Sequence, residues 1–68
     1  MNPILLAEVS LEVAMYYPDC DTYQTRAMWR WFVLDLAKKI IDELNLDEES
    51  EDIDEIVTNY LAQQEALS

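Results

Sequence analysis

The sequence predicts an all-α fold of three helices, in which an αα-hairpin is followed by an acidic C-terminal helix. The chain has 68 residues, no glycine and only two prolines, a composition that nearly excludes tight glycine-turn β-hairpins. Apolar residues recur every three or four positions in three segments, which is the spacing of an amphipathic helix. We therefore expect one domain, residues 1–68, with helices over about 3–16, 22–44 and 51–66.

The first predicted helix has clear start and stop signals. Asn2 is a suitable N-cap, and Pro3 suits the first helical position, where its missing N–H is not needed. Pro18 ends the helix, since the residue before a proline disfavours the helical conformation. The inward-facing residues of this helix are expected to be Leu6, Val9, Val13 and either Tyr16 or Tyr17.

The second predicted helix is the longest, and it is apolar on most sides. Asp21 and Gln24 form a capping-box pattern at its start. Its main apolar stripe is Trp29, Phe32, Val33, Leu36, Ala37, Ile40 and Leu44. A second apolar face, which we call the Trp31 face, is made of Tyr23, Ala27, Trp31 and Leu34 with Ile41. A helix of this kind is usually buried on most sides. We expect it to be the central element, packed against both other helices or against a second copy. Because so short a chain buries little surface, the prediction is a homodimer formed through this helix.

The third predicted helix follows a polar link. Ser50 is a candidate N-cap, with Glu51 and Asp52 in the first turn, where the helix dipole favours negative charge. Its apolar stripe is expected to comprise Ile53, Ile56, Val57, Tyr60, Leu61, Gln64 and Leu67.

Two pairs of like charges predict how the first two helices align. Glu8 and Glu12 repel at a spacing of four residues, and so do Arg26 and Arg30. An antiparallel hairpin would pair Glu12 with Arg26 and Glu8 with Arg30. Such exposed pairs contribute only about 0–1 kcal/mol each, so their expected role is to set the register.

The distribution of charge is the main indication of function. The chain carries a net charge of −11, and residues 42–68 contain ten acids and no base. Seven of these acids lie in residues 47–55, which we call the acidic segment. This charge argues against direct binding of nucleic acid or anionic membranes, because both require Lys or Arg. It predicts a partner protein with a basic surface.

No residue pattern predicts catalysis, a cofactor or a metal site. There is no histidine, and Cys20 is the only cysteine, which excludes an internal disulfide and fits a reducing, cytoplasmic location. No segment reaches the length of a membrane span. The acidic segment departs from a calcium-binding loop at the positions that require glycine and an apolar residue, since Asp52 and Asp54 stand there. The run 19–22 matches a short phosphatase pattern but follows no strand, and capping explains it better.

Two functions remain, and neither is enzymatic. In the first, the chain inhibits a partner by presenting carboxylates to a groove that normally holds nucleic-acid phosphates. In size, acidity and helical character it resembles the small inhibitors that phages and plasmids make against host enzymes. The expected binding residues are Asp42, Glu43, Asp47, Glu48, Glu49, Glu51, Asp52, Asp54 and Glu55. In the alternative, the chain is an adaptor or regulatory subunit that docks through the Trp31 face, and the acids provide solubility and steering.

Overall fold

The computed structural model describes residues 2–18 and 25–67, and it confirms the all-α, three-helix prediction. Helix α1 spans Pro3–Tyr16, α2 spans Arg26–Leu44 and α3 spans Ile53–Leu67. These two ranges contain no β-strand.

Helix α1 begins and ends where its sequence signals indicate. The side chain of Asn2 accepts hydrogen bonds from the backbone N–H groups of Ile4, at 2.8 Å, and Leu5, at 3.4 Å. At the other end, the Tyr17 N–H donates to the Val13 carbonyl at 3.0 Å. The predicted N-cap is confirmed, and two N–H groups that have no partner inside the helix are satisfied.

Helix α2 begins later than the sequence indicated. Thr25 has an extended backbone, and its Oγ1 accepts the Met28 N–H at 3.1 Å, which makes it the N-cap. The prediction of an uninterrupted helix from residue 22 is therefore wrong at this position, because the threonine side chain satisfies the helix start instead. Asp21 and Gln24, the predicted capping box, lie outside the described residues.

Helix α2 ends in a motif that normally uses glycine. Asn45 adopts a left-handed conformation, with φ 52° and ψ 43°. Its N–H donates to the Asp42 carbonyl at 3.4 Å, and the Leu46 N–H donates to the Ile41 carbonyl at 3.1 Å. This is the hydrogen-bond pattern of a Schellman motif, in which the residue after the turn packs on the last turn of the helix. The motif therefore holds Leu46 against Ile41.

Substitution at Asn45 tests this helix end. We expect Asn45→Ala to lower the free energy of unfolding by about 1 kcal/mol, because the alanine Cβ disfavours the left-handed conformation. Asn45→Gly should be neutral or slightly stabilising. Urea denaturation measures both changes. Asn59→Ala is the matched control in the exposed part of α3, where alanine should stabilise the helix. A loss of stability in both alanine variants would contradict the assigned role of Asn45.

Helix α3 begins at Ile53 rather than near Glu51, and Ser50 is not its N-cap. The Ser50 Oγ instead accepts the Asp47 N–H at 3.0 Å and donates to Asp47 Oδ1 at 3.2 Å, forming a local turn. Asp52 has a positive φ of 54° and so cannot extend the helix. The acids of the first turn are Asp54 and Glu55, so most of the acidic segment precedes the helix.

The core lies between α1 and the other two helices. Helix α1 packs against both α2 and α3, which approach each other less closely. The expectation that the second helix packs against both others is therefore wrong, and within the chain α1 holds the central position. Its alternative, α2 packed against a second copy of the chain, stays a prediction. Its small, branched side chains on one face allow two helices to pack there. The buried apolar residues are Leu5, Val9, Val13, Val33, Ala37, Ile40, Ile41, Ile53, Val57, Tyr60 and Leu61.

Several individual assignments within the apolar stripes differ from the prediction. Leu5 rather than Leu6 is buried in α1, and Ile41, assigned to the second apolar face, is 7% exposed. In α3, Gln64 is exposed and Leu67 is 81% exposed. Small errors of this kind arise where apolar residues occupy adjacent positions, because the helical period alone does not say which of them faces the core.

Candidate protein-binding surface

All nine acids expected to bind a partner are exposed. They follow the chain from the last turn of α2, through the link, to the first turn of α3. Two of them, Glu43 and Asp47, also accept hydrogen bonds. The carboxylate of Glu43 accepts a hydrogen bond from the Tyr60 hydroxyl at 2.5 Å. The carboxylate of Asp47 accepts the Glu49 N–H at 2.9 Å and the Ser50 hydroxyl. The remaining seven carboxylates are free of such contacts within the described residues.

Two further acids, which the sequence did not assign to this surface, join it from α1. Glu8 and Glu12 lie beside the start of α3, across a shallow depression of about 390 Å³. We call it the acidic depression, and its lining residues are Glu8, Glu12, Glu48, Ser50, Asp52, Ile53 and Asp54. The fold thus brings five carboxylates together from two distant parts of the chain. A spacing of four residues places Glu8 and Glu12 on one side of α1. This spacing is the sequence feature that could have indicated a shared acidic surface.

The predicted cross-helix ion pairs do not form. Neither Glu8 nor Glu12 makes an ion pair with Arg26, Arg30 or any other residue that the structure describes. The physical reason is the orientation of α1: its acidic side lines the depression next to α3. The register of the α1–α2 hairpin is set instead by packing, and by a hydrogen bond from Trp29 Nε1 to the Tyr17 carbonyl at 2.8 Å.

Two tyrosine–carboxylate hydrogen bonds attach α3 to the other helices. The Tyr16 hydroxyl donates to Glu65 at 2.8 Å, and the Tyr60 hydroxyl donates to Glu43. In each case the hydrogen bond to the carboxylate is the main reason that the pKa of the tyrosine is raised above its usual value of 10.0.

These raised pKa values predict a loss of stability in alkaline solution. A raised folded-state pKa means that the stabilisation is complete below the unfolded pKa, near 10, and is lost as pH rises through the folded-state value. We expect the free energy of unfolding to fall above pH 10 more steeply in the natural chain than in a variant carrying Tyr16→Phe and Tyr60→Phe. Urea denaturation at pH 8 to 11.5 measures this. Parallel pH profiles for the two proteins would show that the hydroxyls contribute nothing.

The members of the Trp31 face that the structure describes differ in exposure. Trp31 is 63% exposed and Ala27 is also exposed, so α3 does not cover them, while Leu34 is half-buried. Met28, 48% exposed, adds to the apolar surface beside Trp31. Tyr23 lies outside the described residues.

The most exposed apolar residues on α1 were missed by the sequence interpretation. Ile4, Leu11 and Met15 are 74%, 58% and 65% exposed, and their spacing places them on the side of α1 opposite its buried face. We call them the outer stripe. The sequence contains an indication of this stripe, since Glu8 and Glu12 are the only charged residues among the 14 residues of α1. A helix apolar on opposite sides indicates more than one packing surface.

Within residues 2–18 and 25–67, no group of three His, Cys, Asp or Glu side chains has the arrangement needed to hold a metal ion. In the same part of the chain, no helix combines the length and apolar character needed to cross a bilayer.

Comparisons with protein-family models, curated proteins and solved structures found no match to this chain.

Proposed function

We propose that this protein is a small acidic inhibitor that binds a basic, nucleic-acid-binding groove on a partner protein. The observation that supports the proposal best is the acidic depression. Five residues with carboxylates, from α1, the link and α3, line it, and none is paired with a base that the structure describes. Like charges brought together by the fold repel one another. Such an arrangement is understandable if a cationic surface neutralises it on binding.

The mechanism is competition for one groove. A nucleic-acid-binding groove holds phosphates through Lys and Arg side chains. Carboxylates spread over the last turn of α2, the link and the first turn of α3 offer the same charge to those side chains. Opposite charges also accelerate encounter between the two proteins. A bound inhibitor therefore excludes nucleic acid. We further propose that this interaction takes place in the cytoplasm, which fits the single cysteine.

The test is capture of the partner followed by competition. The immobilised chain is incubated at low salt with a host-cell lysate, and bound proteins are eluted with a salt gradient. We expect a nucleic-acid-binding protein to elute at moderate salt, because exposed charge pairs are screened. The purified partner should then be displaced by its own DNA or RNA. Binding that resists high salt, or a partner that binds chain and nucleic acid simultaneously, would refute the proposal.

A second candidate function is an adaptor that docks through the Trp31 face. It is favoured by the exposure of Trp31 and Met28, since α3 leaves both uncovered, and by the frequency of tryptophan in binding hot spots. Trp31→Ala should then abolish partner binding, whereas neutralising the acidic segment should mainly slow association. Under the inhibitor proposal the order is reversed: neutralising the acidic segment should weaken partner binding more than Trp31→Ala does.

We also propose that the chain forms a homodimer through α2, with Trp31 in the seam. Sedimentation equilibrium measures the mass directly. Trp31→Glu should convert the dimer to a monomer, whereas Leu11→Glu, which places a charge on the outer stripe, should leave it intact. A natural chain that sediments as a monomer of 8.0 kDa would refute this proposal.

A further inference from the structure

A second cavity next to the acidic segment has a different chemical character. It lies between the start of α1, the end of α2 and the link, and it has a volume of about 450 Å³. We call it the Leu46 cavity, and its lining residues are Asn2, Leu5, Ile41, Leu46, Asp47 and Glu48. Its volume lies within the range of small-ligand sites.

The floor of the Leu46 cavity is apolar and is fixed by the fold. Leu5 and Ile41 belong to the core and are 4% and 7% exposed. The left-handed Asn45 and the hydrogen bond from the Leu46 N–H to the Ile41 carbonyl place the Leu46 side chain beside them. The floor is therefore part of a structured helix end, and it exists before any ligand binds.

The rim of the cavity carries negative charge. Asp47 is held by its contacts with Glu49 and Ser50, which fix the position of the link. Glu48 is exposed, and its carboxylate has no hydrogen-bond or ion-pair partner that the structure describes. Glu48 also lines the acidic depression, so the cavity opens beside the surface proposed to bind a basic protein.

An apolar floor beneath a free carboxylate fits a side chain that is aliphatic along its length and cationic at its end. Lysine and arginine both bury their stems on apolar surface while keeping the charged group accessible. Arginine fits better, because its guanidinium is less strongly hydrated and can donate two parallel hydrogen bonds to one carboxylate.

We propose that the Leu46 cavity binds an arginine side chain of the basic partner, with its stem on Leu5, Ile41 and Leu46 and its guanidinium on Glu48. This inference rests on the proposed function and adds a specific anchor to it. The acidic depression supplies general attraction, and the cavity selects a partner that presents an arginine at the correct position.

The experiment titrates the isotopically labelled chain with n-butylguanidinium, a probe that carries both the stem and the head group of arginine. Amide chemical shifts in NMR spectra report where it binds. We expect the shifts to cluster at the cavity residues. Guanidinium alone, at equal concentration and ionic strength, should produce much smaller shifts because it lacks the stem. Shifts spread evenly over all exposed acids, or equal responses to the two probes, would overturn the proposal.

Two matched variants separate the anchor from general charge effects. Glu48→Gln should weaken n-butylguanidinium binding about fivefold, the effect of losing one exposed ion pair. Asp35→Asn removes the same charge from an exposed position in α2, outside the proposed binding surface, and should change binding little. Equal weakening by both variants would refute the anchor. Their spectra also show directly whether each variant is folded.

The probe experiment tests the arginine anchor and the lysate experiment tests the inhibitor proposal, so a negative result in one does not decide the other. If the probe does not bind in the cavity but the captured partner is still eluted by salt and displaced by nucleic acid, the arginine anchor is wrong and the inhibitor proposal stands. If the probe binds in the cavity but no nucleic-acid-binding partner is captured, the inhibitor proposal is wrong and the cavity remains a cation site.

Discussion

Leu61→Ala is expected to lower the free energy of unfolding by about 2–5 kcal/mol, the usual cost of removing a buried leucine and leaving a cavity. Leu61 is 1% exposed and belongs to the core between α1 and α3. A chain of this size has a total stability of only about 3–10 kcal/mol, so the variant should be largely unfolded at moderate temperature. Urea denaturation followed by circular dichroism measures the loss.

Leu67→Ala is the matched control, since it makes the same chemical change in the same helix. Leu67 is 81% exposed, and its truncation should alter stability by no more than about 0.5 kcal/mol. Similar losses in the two variants would mean that the end of α3 is buried in solution, for example in a dimer. Little change in either would show that α3 does not pack on α1 as the structure describes.

Neutralising the acidic depression should have opposite effects on stability and on binding. The variant carries Glu8→Gln, Glu12→Gln, Glu48→Gln and Asp54→Asn. Carboxylates that line one depression repel one another, so neutralising them should raise the free energy of unfolding. Affinity for the captured partner at low salt should fall about 100-fold, from four lost ion pairs of about 0.7 kcal/mol each.

A control variant with the same change in net charge shows whether position matters. It carries four neutralised acids outside the depression, namely Asp35→Asn, Asp42→Asn, Glu51→Gln and Glu55→Gln. We expect a smaller gain in stability and a smaller loss of affinity, because these acids are not gathered around one concave surface. Equal effects of the two variants would mean that net charge alone governs binding. Raising the salt concentration should reduce the stability difference between either variant and the natural chain.

The helix class and most helix ends could be predicted from local signals, whereas the packing could not. Asn2 and Pro3 determine the start of α1 through contacts within the first turn, and such contacts are readable from the sequence. The left-handed position of Asp52 shifts the start of α3, and a non-glycine residue in this conformation carries a weak sequence signal.

The candidate site was predictable in part for the same reason. The exposure of the acidic segment follows from its composition. The contribution of Glu8 and Glu12 depends on which side of α1 faces α3, and α1 is apolar on opposite sides, so its pattern does not determine its rotation. The predicted Glu12–Arg26 and Glu8–Arg30 ion pairs are wrong. Exposed ion pairs are too weak to decide how helices pack, so complementary charges do not predict the contact.

The position of α1 between the other helices has a consequence for the order of folding. Contacts between α1 and α2 close a shorter stretch of chain than contacts between α1 and α3, such as the Tyr16–Glu65 hydrogen bond across 49 residues. Shorter closures cost less entropy and form sooner. The α1–α2 hairpin should therefore form first. The part of α1 that contacts α3 in the folded chain stays uncovered until α3 packs against it. Until α3 docks, the apolar surface of α1 would be open to contacts with other chains, and the dense negative charge that follows in the sequence would oppose such contacts.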